Sequence, residues 1–259
     1  MKWVTSCLIL CEFIEKVQII VKKKIPIWKK IIFIILTLVV AVAALGIIMY
    51  SRYFYPTGEI MPGLYAIRND RNGTPMVNFF VMRLSEEKYI VFDAGSDSEQ
   101  TLQALQKLNI SANDIVAVFI THSDWDHIGS LNLFTNATLY TGITEFQHAR
   151  RGRGLHNLPP FELPDMPHNI MTDGEAIKIF DRKIRCIYTP GHTSDSVSFL
   201  VDDKYLFAGD LFISPKLAYY NEDLQRLNQA KVLEIESVGY VFTSHFGIFK
   251  AINFYRWWF

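Results

Sequence analysis

The sequence predicts an α+β domain that begins near Gly63 and is preceded by one transmembrane helix. Beyond Gly63, apolar runs of strand length alternate with turn residues and with amphipathic helical patterns. Side chains able to bind a metal follow several of these runs directly, as expected where strand ends meet at one edge of a sheet. Before the domain, Ile31–Tyr50 contains no charged residue. The chain is therefore expected to consist of an N-terminal segment 1–30, a helix 31–50, a linker 51–62 and a catalytic domain 63–259.

The uncharged stretch is long enough to span a bilayer, because a helix rises about 1.5 Å per residue and the hydrocarbon core is about 30 Å thick. Lysines at positions 22–24, 29 and 30 precede it, whereas only Arg52 follows closely. The positive-inside rule predicts a single-pass protein of the cell membrane, with the N-terminus in the cytoplasm and the catalytic domain outside. A cleaved signal peptide and a secreted domain are the alternative, since Ala41-Val-Ala43 has the small residues of a cleavage site. The apolar run continues past that point, which favours an uncleaved anchor.

The strands predicted in the domain are short apolar runs bounded by turn residues. They cover residues 63–68, 77–84, 88–92, 115–121, 137–141, 184–188 and 204–207, with a last strand at His245. Leucines at three-residue spacing predict a helix around 102–108 with its cap in residues 96–98, and a late helix is predicted around 224–233. Residues 145–170 contain four prolines and are expected to form an irregular loop.

The segment His122–His127 carries the strongest functional signal. It places two histidines and two aspartates within six residues, directly after the apolar run 115–121. Core packing does not call for such side chains, and turn formation or helix capping explains only one of them. Imidazole and carboxylate groups together bind divalent cations that polarise an oxygen or ionise a water molecule. The segment therefore predicts a metal site at the end of a strand.

Three later positions have the same character. His192, Asp210 and His245 each follow an apolar run and lie near a glycine, where the backbone can turn sharply. These positions are far apart in the sequence. Strands that end at a common edge would bring them together with the 122–127 segment.

The order of these motifs, H-x-D-x-D-H, then G-H-T, then G-D, then a late histidine, resembles the metallo-β-lactamase superfamily. The resemblance covers roughly residues 63–249. It implies an αββα sandwich, in which two mixed β-sheets pack face to face with helices outside. It also implies a mono- or binuclear metal site at one edge of that sandwich.

Position by position, the resemblance implies two groups of metal ligands that share one carboxylate. The first group consists of His122, Asp124 and His192. The second group consists of Asp126, His127 and His245. Asp210 is expected to bridge both metals. Asp93, in an early Asp-x-Gly turn, is expected to orient a metal ligand without binding the metal itself. The alternative is that Asp93 serves only as a turn residue.

The chain departs from the commoner family pattern at Asp124, where a second histidine is usual. The expected ligands then comprise four imidazoles and three carboxylates, a set with one more negative charge. Carboxylates suit Mn and Fe better than a histidine-rich set does. We expect two divalent metals, with zinc as the first expectation and Mn or Fe as alternatives because of Asp124. The departure also argues against β-lactam hydrolysis.

These features predict a metallo-hydrolase that uses a metal-bound water or hydroxide on an ester, thioester, lactone or phosphoester. Asp126 and Asp210 are the expected catalytic residues, since either can orient the nucleophile or accept its proton. Two alternatives remain at this point. One is a metal-dependent oxidoreductase of the di-iron type, suggested by Asp124, and the other is a non-catalytic metal-binding sensor or scaffold.

Candidate substrate contacts lie in two loops. The basic cluster Arg150, Arg151 and Arg153 could bind an anion or could be an exposed solvated loop. Lys216 and Tyr220 follow Asp210, where the family frequently presents groups that contact substrate. These residues predict a small-molecule substrate.

The charge distribution argues against general nucleic-acid binding. Seven of the 26 basic residues but only two of the 26 acidic residues lie within residues 1–50, so the remainder has a net charge of −5. A nucleic-acid binder would need a basic surface. Of the three cysteines only Cys186 lies in the catalytic domain, where it is expected to be a buried apolar residue.

Overall fold

The first element described in the computed structural model is one long helix. The structure describes residues 26–142, 164–213 and 220–251, and the chain divides into two units, Met1–Tyr50 and Ser51–Phe259. Helix α1 (Ile27–Tyr53) contains the uncharged stretch. Its segment Ile27–Gly46 has a mean hydropathy of 2.3, and none of it is buried. By length and composition this segment can cross a membrane, a property it shares with signal sequences.

The first β-sheet of the second unit is mixed. Within the described residues its strands lie side by side in chain order: β1 (Gly58–Met61), β2 (Leu64–Arg71), β3 (Thr74–Arg83), β4 (Tyr89–Phe92), β5 (Ile115–Phe119), β6 (Thr138–Gly142) and β7 (His168–Met171). Strands β1 to β4 are antiparallel, whereas β4 to β7 are parallel. The carboxyl ends of β4 and β5 therefore reach the same edge.

The second sheet comprises β8 (Ala176–Ile179), β9 (Arg182–Tyr188), β10 (Val197–Val201), β11 (Tyr205–Phe207), β12 (Tyr240–Phe242) and β13 (Ile248–Lys250). Across the sheet the order is β13, β12, β11, β10, β9, β8, and all pairs are antiparallel except β11 with β12. Strands β9, β11 and β12 consequently run in one direction. Their carboxyl ends lie at a common edge.

Helices cover the outer face of each sheet. Helix α2 (Ser98–Lys107) is capped by Asp97, whose side chain accepts a hydrogen bond from the N–H of Gln100 at 2.9 Å. The helix buries Leu105 against the first sheet. Helix α4 (Glu222–Leu233) buries Val232 against the second sheet, and the short helix α3 (Trp125–Ile128) lies after β5. The four layers confirm the predicted αββα sandwich.

Phenylalanine rings fill the space between the two sheets. Phe92 of β4 stacks on Phe207 of β11, with ring centroids 3.7 Å apart and an interplanar angle of 2°. Phe119 stacks on Phe92 at 5.2 Å, and Phe199 meets Phe119 edge to face at 5.1 Å. All four rings are essentially inaccessible to solvent. The sheets are therefore held together by a continuous aromatic core directly beneath the edge described below.

Two ranges that were expected to be a linker or an irregular loop contain regular structure. The range 51–62, expected to be a linker, contains the end of α1 and strand β1. The loop expected over 145–170 overlaps β7, which begins at His168. Strands β1 and β7 are four-residue edge strands with mostly accessible side chains, so neither has the apolar run of a buried strand.

Candidate metal centre

The side chains singled out in the sequence meet at one edge of the sandwich, and both sheets contribute. The loop after β5 and helix α3 supply His122, Asp124, Asp126 and His127. The second sheet supplies His192 after β9, Asp210 after β11 and His245 after β12. All of them are buried except His245, whose side chain is 22% exposed.

Backbone hydrogen bonds join the two sheets at this edge. The N–H of Val197 donates to the carbonyl of Thr121 at 2.9 Å, and that of Asn78 in β3 donates to the carbonyl of Ser244 at 2.9 Å. Gly209 has φ +50°, and a Cβ there would collide with the Thr121 hydroxyl. Only glycine fits this position without strain. The close approach sets the spacing between the loop that carries His122 and the loop that carries Asp210.

Two buried glutamines of α4 hold the loop that carries Asp210. The Gln225 side-chain amide donates to the carbonyls of Leu211 at 3.1 Å, Ile213 at 3.3 Å and Asp210 at 3.4 Å. Gln229 donates to the carbonyl of Leu211 at 2.8 Å. These bonds satisfy carbonyls that a loop would otherwise bury without partners. The backbone that carries the Asp210 side chain is therefore held in place by neutral amides.

The first group of side chains is formed by His122, Asp124 and His192. The Asp124 Oδ2 atom lies 3.2 Å from His192 Nε2 and 3.6 Å from His122 Nε2. The candidate ligand atoms of all three residues lie within 4.8 Å of one another. This arrangement can hold a cation between two imidazoles and a carboxylate.

The second group is formed by Asp126, His127 and His245. The Asp126 Oδ2 atom lies 3.3 Å from His245 Nε2 and 3.9 Å from His127 Nε2. These ligand atoms also lie within 4.8 Å of one another. A second cation could therefore sit beside the first.

Asp210 lies between the two groups. Its Oδ2 atom is 3.4 Å from His192 Nε2, 3.8 Å from His122 Nε2 and 3.4 Å from His245 Nε2. Its Oδ1 atom is 3.4 Å from His127 Nε2. One carboxylate thus faces an imidazole pair on each side, which is the geometry that a bridging ligand requires.

Hydrogen bonds behind two histidines fix their tautomers. Asp93 Oδ2 lies 2.9 Å from His127 Nδ1, while its Oδ1 accepts the N–H of Thr121 at 2.8 Å. The carbonyl of Met76 lies 2.7 Å from His245 Nδ1. Each acceptor requires a proton on Nδ1, so the Nε2 lone pair points into the cluster. Asp93 has φ +61°, a conformation that non-glycine residues adopt rarely.

Carboxylates and imidazoles in the cluster shift one another's protonation. Burial opposes the charged form of His127, but Asp210, Asp93 and Asp126 outweigh it and raise the pKa of His127 well above its usual value. Burial likewise opposes charge on His245, yet Asp210 and Asp126 raise its pKa to about 10. Without a cation, protons on the imidazoles balance the carboxylates. Metal binding must displace those protons, so it should strengthen as pH rises.

The donor atoms themselves fit a metal. Among the described residues, His122 Nε2, His127 Nε2 and Asp210 Oδ1 are buried and lack a hydrogen-bond partner. A buried polar atom without a partner costs about 1–3 kcal/mol. Four imidazoles and three carboxylates are a suitable donor set for divalent cations, and the unpaired atoms are the ones that a cation would engage.

The expected substrate contacts are only partly described. Arg150, Arg151, Arg153 and Lys216 lie outside the described residues. Tyr220 is 56% exposed, just before α4. The sequence interpretation missed a cavity of about 220 Å³ beside the cluster. It is lined by Asp70, Arg71, Met76, Ser96, Asp97 and Trp125. The only hint in the sequence was Trp125, which stands within the 122–127 segment.

Comparisons with known proteins agree with this architecture. A family model described as the metallo-beta-lactamase superfamily matches residues 72–245. A protein of Methanocaldococcus jannaschii named "Probable metallo-hydrolase" is 34% identical over 123 residues, which are 47% of this chain and 49% of that protein. A hydroxyacylglutathione hydrolase of Xanthomonas axonopodis is 28% identical over 130 residues, 50% of this chain and 44% of that enzyme. The chain thus spans about half the length of these curated relatives.

A solved structure shares the fold at low sequence identity. The metallo-beta-lactamase family protein from Thermus thermophilus aligns with a TM-score of 0.61 at 18% identity, covering 75% of this chain and 77% of that one. Identity at this level indicates a common fold alone. The arrangement of the two sheets is therefore independently supported.

Proposed function

Because this chain belongs to the metallo-β-lactamase superfamily, we propose that it is a metal-dependent hydrolase of an ester, thioester, lactone or phosphoester. The proposed ligands are His122, Asp124 and His192 for one metal and Asp126, His127 and His245 for the other, with Asp210 shared. A thioester is included because hydroxyacylglutathione hydrolases are among the relatives. Zinc is the first candidate metal.

One observation carries the proposal. Asp210 lies within 3.4–3.8 Å of four imidazole nitrogens that belong to two separate groups. A single carboxylate in such surroundings serves no evident packing purpose, and three atoms of the cluster lack hydrogen-bond partners among the described residues. A pair of divalent cations would satisfy all of them together.

The chain's own residues would orient the reaction. Bound divalent metals supply Lewis acidity, which polarises the electrophile and makes a bound water more acidic. Asp126 is ionised because His127 and His245 lower its pKa against the opposing effect of burial. Asp210 is ionised because the same two histidines outweigh burial. Each carboxylate can therefore accept a hydrogen bond from the attacking water and hold it in line with the substrate.

Asp124 supports a second candidate, an oxidoreductase that uses iron. Its carboxylate lies 3.2 Å from His192 Nε2, in place of the histidine expected in the commoner pattern. Oxygen-rich sites favour Fe and Mn over zinc. The metal bound after growth in mixed metals, together with any oxygen consumption by the iron form, distinguishes this candidate from the hydrolase.

Metal analysis of purified variants tests the ligand assignment. We expect about two divalent metals per wild-type chain, and loss of at least one together with turnover in His192→Ala and in Asp210→Ala. His168→Ala and Asp203→Ala are matched controls, because His168 is exposed, Asp203 is partly exposed in an ion pair with Lys183, and both lie away from the cluster. Two metals retained in Asp210→Ala would exclude the bridging role.

A substrate panel tests the reaction class. Chromogenic esters, thioesters, lactones, phosphodiesters and β-lactams should be assayed with each metal. Turnover of at least one of the first four classes, abolished by a chelator and by Asp210→Ala, is the expected result. Hydrolysis of β-lactams alone would contradict the proposed substrate range.

We further propose that α1 anchors the catalytic domain at the outer face of the cell membrane. The apolar segment Ile27–Gly46 and the lysines that precede it support this topology. Full-length protein should fractionate with membranes, and protease added to intact cells should cleave it beyond Arg52. Free protein in the medium that begins near Ala44 would instead indicate a cleaved signal peptide.

A further inference from the structure

The cavity of about 220 Å³ lies directly beside the candidate metal centre. One of its walls is Trp125, which stands in the chain between Asp124 and Asp126. Another wall is Met76, whose carbonyl accepts the His245 Nδ1 proton at 2.7 Å. The cavity therefore shares two residues with the frame of the centre and adjoins it.

One charge at this cavity lacks an opposite charge. Asp70 is paired with Arg68, with 2.7 Å between Arg68 Nε and Asp70 Oδ1, and Asp97 is occupied as the cap of α2. Arg71 has no carboxylate within ion-pair distance among the described residues. Its guanidinium instead lies over the Trp125 ring, 5.5 Å from the centroid. Stacking of this kind leaves the edge N–H donors of a guanidinium available.

The backbone holds Arg71 in a defined place. It pairs with Thr74 at the end of the β2–β3 hairpin. The two residues between them, Asn72 and Gly73, have φ of 52° and 76°. Positive φ at both positions, in an Asn-Gly pair, is characteristic of a tight type I′ turn. This turn fixes the backbone of Arg71, and the contact with the Trp125 ring positions its exposed side chain, so that less ordering is needed when a ligand binds.

We propose that this cavity is a substrate subsite in which Arg71 binds an acidic substituent, carboxylate or phosphate, while Trp125 and Met76 contact the apolar part of the same group. The inference rests on the proposed hydrolase function and specifies its substrate class. Cavities that enclose a whole drug-sized ligand measure about 300–1,000 Å³. The smaller volume here fits one arm of a substrate whose scissile bond lies at the metal centre.

Equilibrium binding tests the subsite without reference to turnover. Hydrocinnamate, phenyl phosphate and neutral hydrocinnamide are titrated calorimetrically into wild-type protein, Arg71→Gln, Arg71→Lys and Arg226→Gln. Arg226 is the matched control, since it forms an ion pair with Glu222 on the exposed face of α4. The wild type and Arg226→Gln should prefer one anion over the amide by about tenfold or more, which is the value of a charge-assisted hydrogen bond.

Arg71→Gln should lose that preference, and Arg71→Lys should retain part of it, because lysine keeps the charge without the planar fork. The anion that wild type prefers identifies the acidic group. Absence of any preference in wild type would overturn the proposal. A preference that survives in Arg71→Gln would also overturn it, because the metal centre would then be binding the anion.

Turnover provides a separate readout. The ratio of kcat/KM for mono-para-nitrophenyl glutarate to that for its neutral methyl ester should fall about tenfold in Arg71→Gln and stay the same in Arg226→Gln. A protein that hydrolyses neither ester but passes the binding test would contradict the ester reaction while supporting the subsite. A protein that hydrolyses both esters with a ratio insensitive to Arg71 would contradict the subsite alone.

Discussion

Asp93→Asn changes one buried atom and should weaken one of the two proposed metal sites. Asp93 can only accept hydrogen bonds, so at 2.9 Å it requires the proton of His127 to be on Nδ1. In the asparagine variant, the amide oxygen can still accept the N–H of Thr121, now 2.8 Å from Oδ1. The amide nitrogen then faces His127 Nδ1 and donates to it. The proton of the imidazole moves to Nε2, where it blocks the lone pair that would bind the metal.

The expected magnitude follows from this change of tautomer. Loss of a partner that orients a metal-binding histidine reduces metal affinity by about 10- to 100-fold, or about 1.4–2.8 kcal/mol. Only the site that contains His127 should be affected. The fold should persist, because Asp93 has φ +61° and asparagine tolerates that conformation at least as well as aspartate.

Calorimetric titration of chelator-treated protein with zinc measures both sites. One of the two equivalents should weaken in Asp93→Asn while the other remains close to its wild-type affinity. Asp202→Asn is a matched control, since Asp202 has φ +52° and contacts Arg182 on the surface. Affinities for both equivalents within twofold of wild type in Asp93→Asn would refute the reasoning.

The remaining predictions concern the ligand chemistry and the core. Asp124→His should raise the zinc content relative to Mn and Fe and lower the apparent pKa of turnover, because one anionic ligand is lost; unchanged metal content and an unchanged pH–rate profile would show that Asp124 does not bind the metal. Burial raises the pKa of the Cys186 thiol to about 12. The contribution of the neutral thiol to the free energy of unfolding is therefore fully present below the ordinary thiol pKa. It declines as the pH rises toward 12. Urea midpoints should therefore fall more steeply above about pH 9 in wild type than in Cys186→Ala, and parallel curves would contradict this. Phe92→Ala should lower the free energy of unfolding by about 3–5 kcal/mol in the same assay, whereas a loss below about 1 kcal/mol would mean that the aromatic core repacks.

The sequence was most informative where charged or imidazole side chains follow an apolar strand, because core packing does not require such side chains. His122 and Asp126 follow an apolar strand, so strand-end geometry together with the resemblance predicted their meeting with His192. The αββα layers followed from the same resemblance and are confirmed. In the structure the short helix α3 carries Asp126 and His127.

Strand β10 (Val197–Val201) escaped prediction although all five of its residues are buried, whereas two edge strands escaped because they lack a local signal. Strand β8 (Ala176–Ile179) alternates exposed and partly buried residues at the edge of its sheet, and β13 (Ile248–Lys250) has three residues. The role inferred for Arg71 depends on the approach of Trp125, 54 positions later in the chain. Such proximity is a property of the tertiary structure, and the sequence around Arg71 does not contain it.

The joining of both sheets at the candidate centre links the persistence of the folded chain to the supply of metal. Its donors extend from His122 to His245, and an unfolded chain cannot hold residues so distant together, so nearly all metal affinity belongs to the folded state. Free metal at a hundredfold excess over Kd then stabilises that state by about 2.7 kcal/mol. With the proposed ions bound, separation of the sheets at this edge would require their release first. Scarcity of metal would therefore shorten the lifetime of the protein as well as stop its chemistry, so that its abundance would report the metal content of its surroundings.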